Sequence, residues 1–589
     1  MDNSGWNMYV FRDGCRVLPG QRLTDAIIST LTALNFSDEE SALAALVAAG
    51  ELECALKDSE HPQAGLAEQI TDGVAEGLVR QTWADPGIPP LPRRSTASAF
   101  PDPRILAQLA KRIHAEDQVR ISVLEGFAYY ALHPRKIMRL LNSLDLGCHD
   151  DPMQAACRRQ IAVVGIRSIG APLSAVLAAA LHQRGMIAER LTVRPTGHPY
   201  DRVLSLGEQE RAWVERHAEC EFVLIDEGPG LSGSSFLATA EALVNSGVPA
   251  RRIRIIGSRQ PDLSQLRATS AAERWSRYRF HCLQSEPIMP ADAVVPIGAG
   301  LWRREYLSNF DNQPASWTAL EMAKFLSHDR TRLYKFEGFG HFGRVIAERV
   351  RCLHAAGFTT VHHGNDCGFG RYDVMPGRML GRDDLSAALV HRIADYCAVR
   401  AAEIAGDNTQ PSQLGEMLRW NWRTEFNREL PSHIGDLAVV RPTVCDARMA
   451  PHEWLQLEDG NVVKLDCGSH GDDHFFPGPC DIAWDLAGAI VEWEMDPSAR
   501  EALATRYEQQ SGDRIRSRLA AYELAYSVFR MAWSKMAAEA SAGQFDEQLL
   551  RRDYLRYQKH ALELAAEPVP KPQLVTGNLP YALPESSAA

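Results

Sequence analysis

Several protein classes are excluded by what this chain does not contain. Its twelve cysteines include no CxxC pair, which removes the common zinc-ribbon and dithiol patterns. A chain of 589 residues also has no need of disulfide staples, so a reducing cytosol fits the cysteines best. No window approaches about 18 continuous apolar residues, and the opening "MDNSGWNMYVFRDG" has neither the charged start nor the apolar centre of a signal peptide. The expectation is a soluble, cytoplasmic protein with no membrane contact. Positive charge is short as well: 63 Lys and Arg against 75 Asp and Glu give a net charge of -12. No general attraction to nucleic acid or anionic lipid follows from that balance. Internal repeats are absent, and the oligomeric state is left open.

What is present is ordinary globular composition, 45% apolar and 23% charged, in a chain long enough for two large domains plus accessory segments. Residues 1–100 read as a helical N-terminal segment followed by a linker. Apolar residues recur at helical spacing from Leu23 to Gln81, as in "DEESALAALVAAGELECAL", with Ser37 placed like an N-cap. The proline-rich "WADPGIPPLPRRSTASAFPDP" from Trp83 to Pro103 favours extended chain. In residues 101–284 three apolar runs, "IAVVGI", "FVLID" and "IRIIG", alternate with helical stretches, the pattern of a parallel sheet covered by helices. Residues 285–325 read as a second linker and 326–565 as an α+β domain. Residues 566–589 read as a flexible tail. The fold class expected is therefore α/β plus α+β.

The stretch "FVLIDEGPGLSGSSF", from Phe222 to Phe236, carries the first chemistry. An apolar strand delivers Asp226 and Glu227 to its carboxyl end, where open parallel sheets bind ligands. The small-residue loop that follows opens a helix and favours an anion. Acid pair plus phosphate cradle describes a ribose 5-phosphate. The stretch resembles the phosphoribosyl pyrophosphate (PRPP) signature of type I phosphoribosyltransferases, with Glu227 as an unusual second acid and a Ser-rich loop where Thr-Thr-Gly is usual. The resemblance implies PRPP contacts from Gly230, Ser232, Gly233, Ser234 and Ser235, with Asp226 and Glu227 at the ribose as catalytic-site acids. Upstream, "VVGIRSIGAPLSAVLAAAL" looks like the pyrophosphate loop of that fold, with Arg167, Ser168, Ile169 and Gly170. Between them "TVRPTGHPYDR" stands where such enzymes have a mobile loop, offering Arg194, His198 and Arg202 to pyrophosphate. Glu125 and the aromatics of "RISVLEGFAYYALHP" suit a base site, although aromatics in such a run are more often plain core.

A second constellation lies further on. "YKFEGFGHFGRVIAERV" places Lys335 on a strand, a glycine-rich turn after it and Glu348 on the next helix; such a Lys holds nucleotide phosphates while the Glu orients it. Asp446 in "VRPTVCDARMAPHEWL" and Asp466 in "NVVKLDCGSHGDDHFFPGPCDIAWDLAGA" end neighbouring strand-like runs. The arrangement resembles the aminoglycoside-phosphotransferase and choline-kinase-like small-molecule kinases, a bilobal protein-kinase-like fold. By that resemblance Asp446 orients or deprotonates the acceptor hydroxyl, Asp466 binds magnesium, and Lys335 with Glu348 holds ATP. Cys445 and Pro451 depart from the family pattern, so His452 or Glu453 replaces its usual Asn, or the second metal position is lost. His470, Asp472, Asp473 and His474 read as a polar loop near the nucleotide, since no strict spacing supports zinc.

Together these features imply a bifunctional transferase using magnesium, PRPP, ATP and a base or nucleoside-like compound. The alternative is a regulator in which a non-catalytic PRPP- or nucleotide-sensing domain controls the kinase-like half.

Overall fold

The computed structural model of the chain describes residues 4–83, 103–114, 117–144, 160–283, 286–307, 313–406, 413–431 and 437–566. Most of the proline-rich stretch expected as a linker, and nearly all of the expected tail, lie outside the described residues. No helix among those described is long and apolar enough to cross a membrane.

The architecture is mixed α/β. Strands β1 (Arg16–Pro19) and β2 (Gln118–Ile121) form an antiparallel pair. A five-stranded parallel sheet follows, built from β3 (Gln160–Ile166), β4 (Ile187–Val193), β7 (Glu221–Ile225), β8 (Ile253–Gly257) and β9 (Arg279–Cys282) in the order β4-β3-β7-β8-β9. The three apolar runs seen in sequence are β3, β7 and β8. They are buried on both faces, as near-continuous Val, Ile and Leu requires. A small hairpin, β5 (Thr196–His198) with β6 (Asp201–Val203), rises beyond β4.

The C-terminal half starts with an antiparallel sheet of β10 (Val295–Pro296), β11 (Lys324–Leu326), β12 (Arg332–Phe336), β13 (His362–Asp366) and β14 (Phe369–Asp373), ordered β10-β11-β12-β14-β13. Strand β10 and all but the last residue of β11 fall inside residues 285–325, expected as linker. They are two and three residues long, and β10 is a proline-containing edge strand, so neither leaves a sequence signal of a strand. Beyond Asp373 the chain crosses to a second part. There β15 (Gly377–Met379), β17 (Trp454–Leu457) and β18 (Val462–Lys464) form one small sheet, and β16 (Pro442–Thr443) with β19 (Cys480–Asp481) forms another. Long helices, including Ala387–Glu403, Ala483–Glu492 and Arg516–Ala540, surround them.

The helix Glu39–Asp58 is capped by Asp38, whose side chain accepts from the Glu40 amide at 3.2 Å, one residue beyond the Ser37 expected. It is buried on every side from Ala42 to Leu56, which marks a central helix rather than a surface one. The reason is its position. Gly50 packs on Pro172 of the parallel-sheet half, while Ala44 meets the loop after β12. One apolar core runs from this helix through β3 and β7 to Phe336, Phe339 and Phe369 of the antiparallel sheet. Residues 4–12 cross to the far half: the Asn421 side chain accepts from the Tyr9 amide at 2.7 Å, and the Arg12 amide donates to the His474 carbonyl at 3.0 Å.

Candidate functional site

Two clusters of ionisable side chains stand at sheet edges. The first lies at the carboxyl end of β7, the middle strand of the parallel sheet. Asp226 and Glu227 follow directly on Ile225, so the strand that buries Phe222 to Ile225 also fixes where both carboxyls sit. Burial pushes Asp226 up to about 7, against the backbone amides of Glu227 and Gly170 and the charge of Arg194, which pull it down. Burial also raises Glu227 well above its usual range, reinforced by the charges of Glu125 and Asp226. Glu125, from the segment expected to hold a base, therefore joins the two strand-end acids. Three carboxyls crowded in this way are poised to take hydroxyl donors or a cation.

The groups expected to meet pyrophosphate are brought close to these acids, with partners of their own. Arg167 Nε donates to Asp58 Oδ1 at 2.7 Å, and Arg194 pairs with the same carboxylate. Asp58 is the last residue of the helix Glu39–Asp58, so both guanidiniums are spoken for from outside the sheet. Ser168 has a φ of 144° and donates its hydroxyl to the Val123 carbonyl at 3.2 Å, while Ile169 is buried core. In the loop after β7, the hydroxyls of Ser232 and Ser234 donate to the Pro199 carbonyl at 2.8 and 2.7 Å. The β5–β6 hairpin is thus closed on the serine loop. Gly233 begins the helix Ser234–Asn245, Ser235 is half-buried, and Gly230 is exposed. Arg202 donates to the Pro195 carbonyl at 3.3 Å, and His198 is exposed.

The second cluster lies in a cavity of about 220 Å³ between the antiparallel sheet and the helical part. Lys335 reaches into it from β12 and lies 3.0 Å from Asp466 Oδ1. Its Nζ also donates to the Ser469 hydroxyl at 2.7 Å. Lys324 of β11 pairs with the other oxygen of Asp466. Burial opposes the charge on Asp466, but Lys324 and Lys335 outweigh it and hold the carboxyl well below its usual range.

Glu348 does not join this pair. It is exposed on the helix His341–Ala355, which turns Gly343, Ala347 and Val350 inward instead. The glycine-rich turn is not at the cavity either. A β-carbon on Gly340 would come within 2.9 Å of Ala44 Cα, and the Phe339 amide donates to the Phe127 carbonyl at 3.0 Å. These glycines permit close packing of the two halves, and the turn does not serve as a phosphate cradle.

Asp446 lies under the cavity and does not line it. It is fully buried, accepts the Tyr396 hydroxyl and has Lys464 Nζ at 3.3 Å. A direct role on an acceptor hydroxyl is therefore not what the geometry provides, because the surrounding side chains cut the carboxylate off from the cleft. Its loop is held by Asp485 of the sequence "DIAWDLA", which accepts from the amides of Asp446 and Ala447 at 2.8 and 2.9 Å. Arg400 adds bonds to the carbonyls of Val444 and Cys467 at 2.6 and 2.7 Å, tying the Asp446 and Asp466 loops together. Glu453 does face the cavity, with Lys464 at 2.8 Å. His452 faces it too, its ring stacked on Trp302 at 5.5 Å, and burial pushes this imidazole down to about 4.

The polar loop from His470 to His474 divides. His470 turns toward Asp446, Glu453 and Asp466, at 3.8 Å from each, and burial lowers it to about 4. Asp473 accepts from the Phe475 amide at 2.8 Å. His474 sits among the rings of Phe11, Phe475, Tyr129 and Tyr130. Tyr129 comes from the N-terminal half and lines the cavity of the C-terminal half. Among the described residues, Asp446, Glu453 and His470 each offer a ligand atom, all within 4.8 Å of one another.

Sequence reasoning missed Lys324, Lys464, Asp485 and Tyr129 as parts of this region. Lys464 had a signal, since a lysine beside Val462 and Val463 in a strand two residues before an acid needs a buried partner. Lys324 had none, lying in a segment read as linker.

No family model matches the chain, and no curated protein matches it. Solved structures do. Choline kinase LicA from Streptococcus pneumoniae aligns at 15% identity and a TM-score of 0.30, covering 41% of this chain and 89% of that one. A choline/ethanolamine kinase family protein from Mesorhizobium loti aligns at 14% identity and a TM-score of 0.29, covering 42% and 88%. An aminoglycoside phosphotransferase from Alicyclobacillus acidocaldarius aligns at 14% identity and a TM-score of 0.29, covering 48% and 96%.

Proposed function

We propose that the C-terminal half transfers phosphate from magnesium-ATP to a hydroxyl of a small molecule. The observation that carries this reading is the pairing of Lys335 with Asp466 across the cleft. A lysine on a sheet and a strand-end acid facing it supply the two groups that phosphoryl transfer needs: a cation on the phosphates and a carboxylate for the metal that bridges them. In this reading Asp466 would hold the magnesium of ATP, and Lys324 and Lys335, now paired with it, would hold phosphate oxygens. Glu453 and His452 face the cavity beside them, where the acceptor hydroxyl would lie, and Asp446 positions the floor beneath. Calorimetric titration tests this. Magnesium-ATP binding is expected in the unaltered chain and lost in Asp466→Asn, and a chain that binds no nucleotide overturns the reading.

The parallel-sheet half is proposed to bind a phosphorylated ribose, PRPP among the candidates. Its support is the acid pair at the end of the middle strand beside a serine loop that opens a helix. Whether this half transfers the ribosyl group or senses the ligand is a separate matter. The sensing alternative draws support from the helix Glu39–Asp58, which contacts the first cluster and the antiparallel sheet of the other half. Asp58 holds Arg167 and Arg194, while Glu51 pairs with His341 at 2.9 Å and Glu40 accepts from the Gly368 amide at 3.0 Å in the antiparallel half. Pyrophosphate release from PRPP in the presence of a panel of nucleobases supports transfer. A change in ATP affinity on adding PRPP, without pyrophosphate release, supports sensing.

A further inference from the structure

We propose that Asp446, Glu453 and His470 form a site for a divalent first-row transition metal ion, separate from the magnesium position at Asp466 and facing the same cleft. What the ion acts upon rests on the phosphotransfer reading, whereas the site stands on its own geometry.

The two oxygens of Asp446 are divided between two sides. Oδ2 takes the Tyr396 hydroxyl and Lys464. Oδ1 has a long contact of 3.4 Å from the Arg448 amide and faces His470 Nδ1 at 3.8 Å. The same Nδ1 lies 3.8 Å from Glu453 Oε2. Such a separation is too long for a hydrogen bond. It is what two ligands of one ion show, because atoms each about 2.1 Å from a metal are at most about 4.2 Å apart.

A second observation is independent of the acids. His470 is only 8% exposed, and its Nδ1 has no hydrogen-bond partner among the described residues. A buried polar atom in that condition calls for a ligand, and this one is aimed between two carboxylates. Its position is enforced by the backbone: a β-carbon at Gly471 would collide with the Cys445 carbonyl, so the loop carrying His470 is pressed directly onto the loop carrying Asp446.

Charge and donor type then select the ion. Lys464 lies between the two carboxylates, 3.3 Å from Asp446 Oδ2 and 2.8 Å from Glu453 Oε2, and its single charge offsets one of their two. One imidazole nitrogen with two carboxylate oxygens suits manganese, iron or zinc, whereas magnesium prefers oxygen alone. Glu453 and His470 line the cavity, so the remaining coordination positions face the cleft, where a phosphate or acceptor oxygen completes the shell.

The test is pulsed electron paramagnetic resonance on the full chain with added Mn2+ and no nucleotide. One bound Mn2+ per chain with coupling to an imidazole nitrogen is expected. That coupling disappears in His470→Gln and persists in Asp466→Asn. Glu453→Gln weakens Mn2+ binding by at least about tenfold, and Lys464→Met, which removes a competing cation, tightens it. Absence of Mn2+ binding, oxygen couplings alone, or a nitrogen coupling that survives His470→Gln overturns the site. The coupling is read first on the unaltered chain, so the folding of the variants does not decide the outcome. ATP titration of the same samples addresses phosphotransfer separately: nitrogen-ligated Mn2+ without ATP binding keeps the metal site and sinks only the nucleotide reading.

Discussion

Lys335 Nζ lies 3.0 Å from Asp466 Oδ1, and Lys324 holds the other oxygen of the same carboxylate. One acid on the floor of the cleft is thus tied to two adjacent strands of its roof. Breaking a buried ion pair from one side usually costs about 3–5 kcal/mol, because the remaining charge is left unpaired. Lys335→Met leaves Asp466 paired with Lys324, so the expected loss of stability is smaller, about 1–2 kcal/mol in urea denaturation. If the cleft carries the phosphoryl transfer proposed for it, the rate should nonetheless fall by about 100-fold or more. The double variant Lys324→Met with Lys335→Met should lose more stability than the two single losses added together. Additive losses would mean that the lysines do not share Asp466 in solution.

Asp485 is the next residue whose removal has a defined consequence. It accepts from two successive buried amides, those of Asp446 and Ala447, and lies 3.7 Å from Arg400. Asp485→Ala strands both amides, each at about 1–3 kcal/mol, and takes away a counter-charge of Arg400. A stability loss of about 3–5 kcal/mol is expected. Asp485→Asn retains an acceptor and should lose clearly less. Equal losses for the two variants, measured by thermal denaturation, would show that the charge matters and the amide bonds do not.

The pH dependence of the parallel-sheet half follows from Asp226. Its folded value is about 7 against an ordinary 3.8. Between those limits the folded chain keeps a proton that the unfolded chain has released. Stability from this group is therefore fully present below about pH 4 and is lost as pH rises through about 7. Carboxyls held low, such as Asp466, act in the opposite sense, so the informative quantity is a difference. Asp226→Asn should leave stability unchanged or lower near pH 4 and raise it relative to the unaltered chain at pH 8. A pH-independent difference would place Asp226 in contact with solvent.

Legibility in the sequence followed the range of the forces involved. The strand-end positions of Asp226 and Asp466 were readable because an apolar strand must end where its acids begin. Glu348 was misread even though the helix that carries it contained the answer. Gly343, Ala347 and Val350 mark the inward stripe at helical spacing, and Glu348 lies about 100° around from Ala347. The glycine turn after Lys335 was misread for a tertiary reason: it is small because Ala44, almost three hundred positions away, packs on it. Burial of the helix Glu39–Asp58 on all sides likewise depends on two partners that no local window contains. The enclosure of Asp446 by Tyr396 and Lys464 was not readable, since only the folded chain brings those side chains together.

The last expectation concerns Asp58, which takes Arg167 at 2.7 Å and also pairs with Arg194. If those guanidiniums are the pyrophosphate ligands of the parallel-sheet half, Asp58 competes with the ligand for them. Asp58→Asn removes the competing charge while leaving the helix in place, because residue 58 is its last position and an acid there opposes the helix dipole. Inorganic pyrophosphate should then bind about 5- to 30-fold tighter, the equivalent of about 1–2 kcal/mol for releasing part-exposed charge pairs. The gain should shrink as salt is raised. Calorimetry at two ionic strengths reads both effects. An unchanged affinity would mean that Arg167 and Arg194 do not meet pyrophosphate. A weaker affinity would mean that Asp58 holds them in their binding geometry, so that the pairing prepares the site and does not block it.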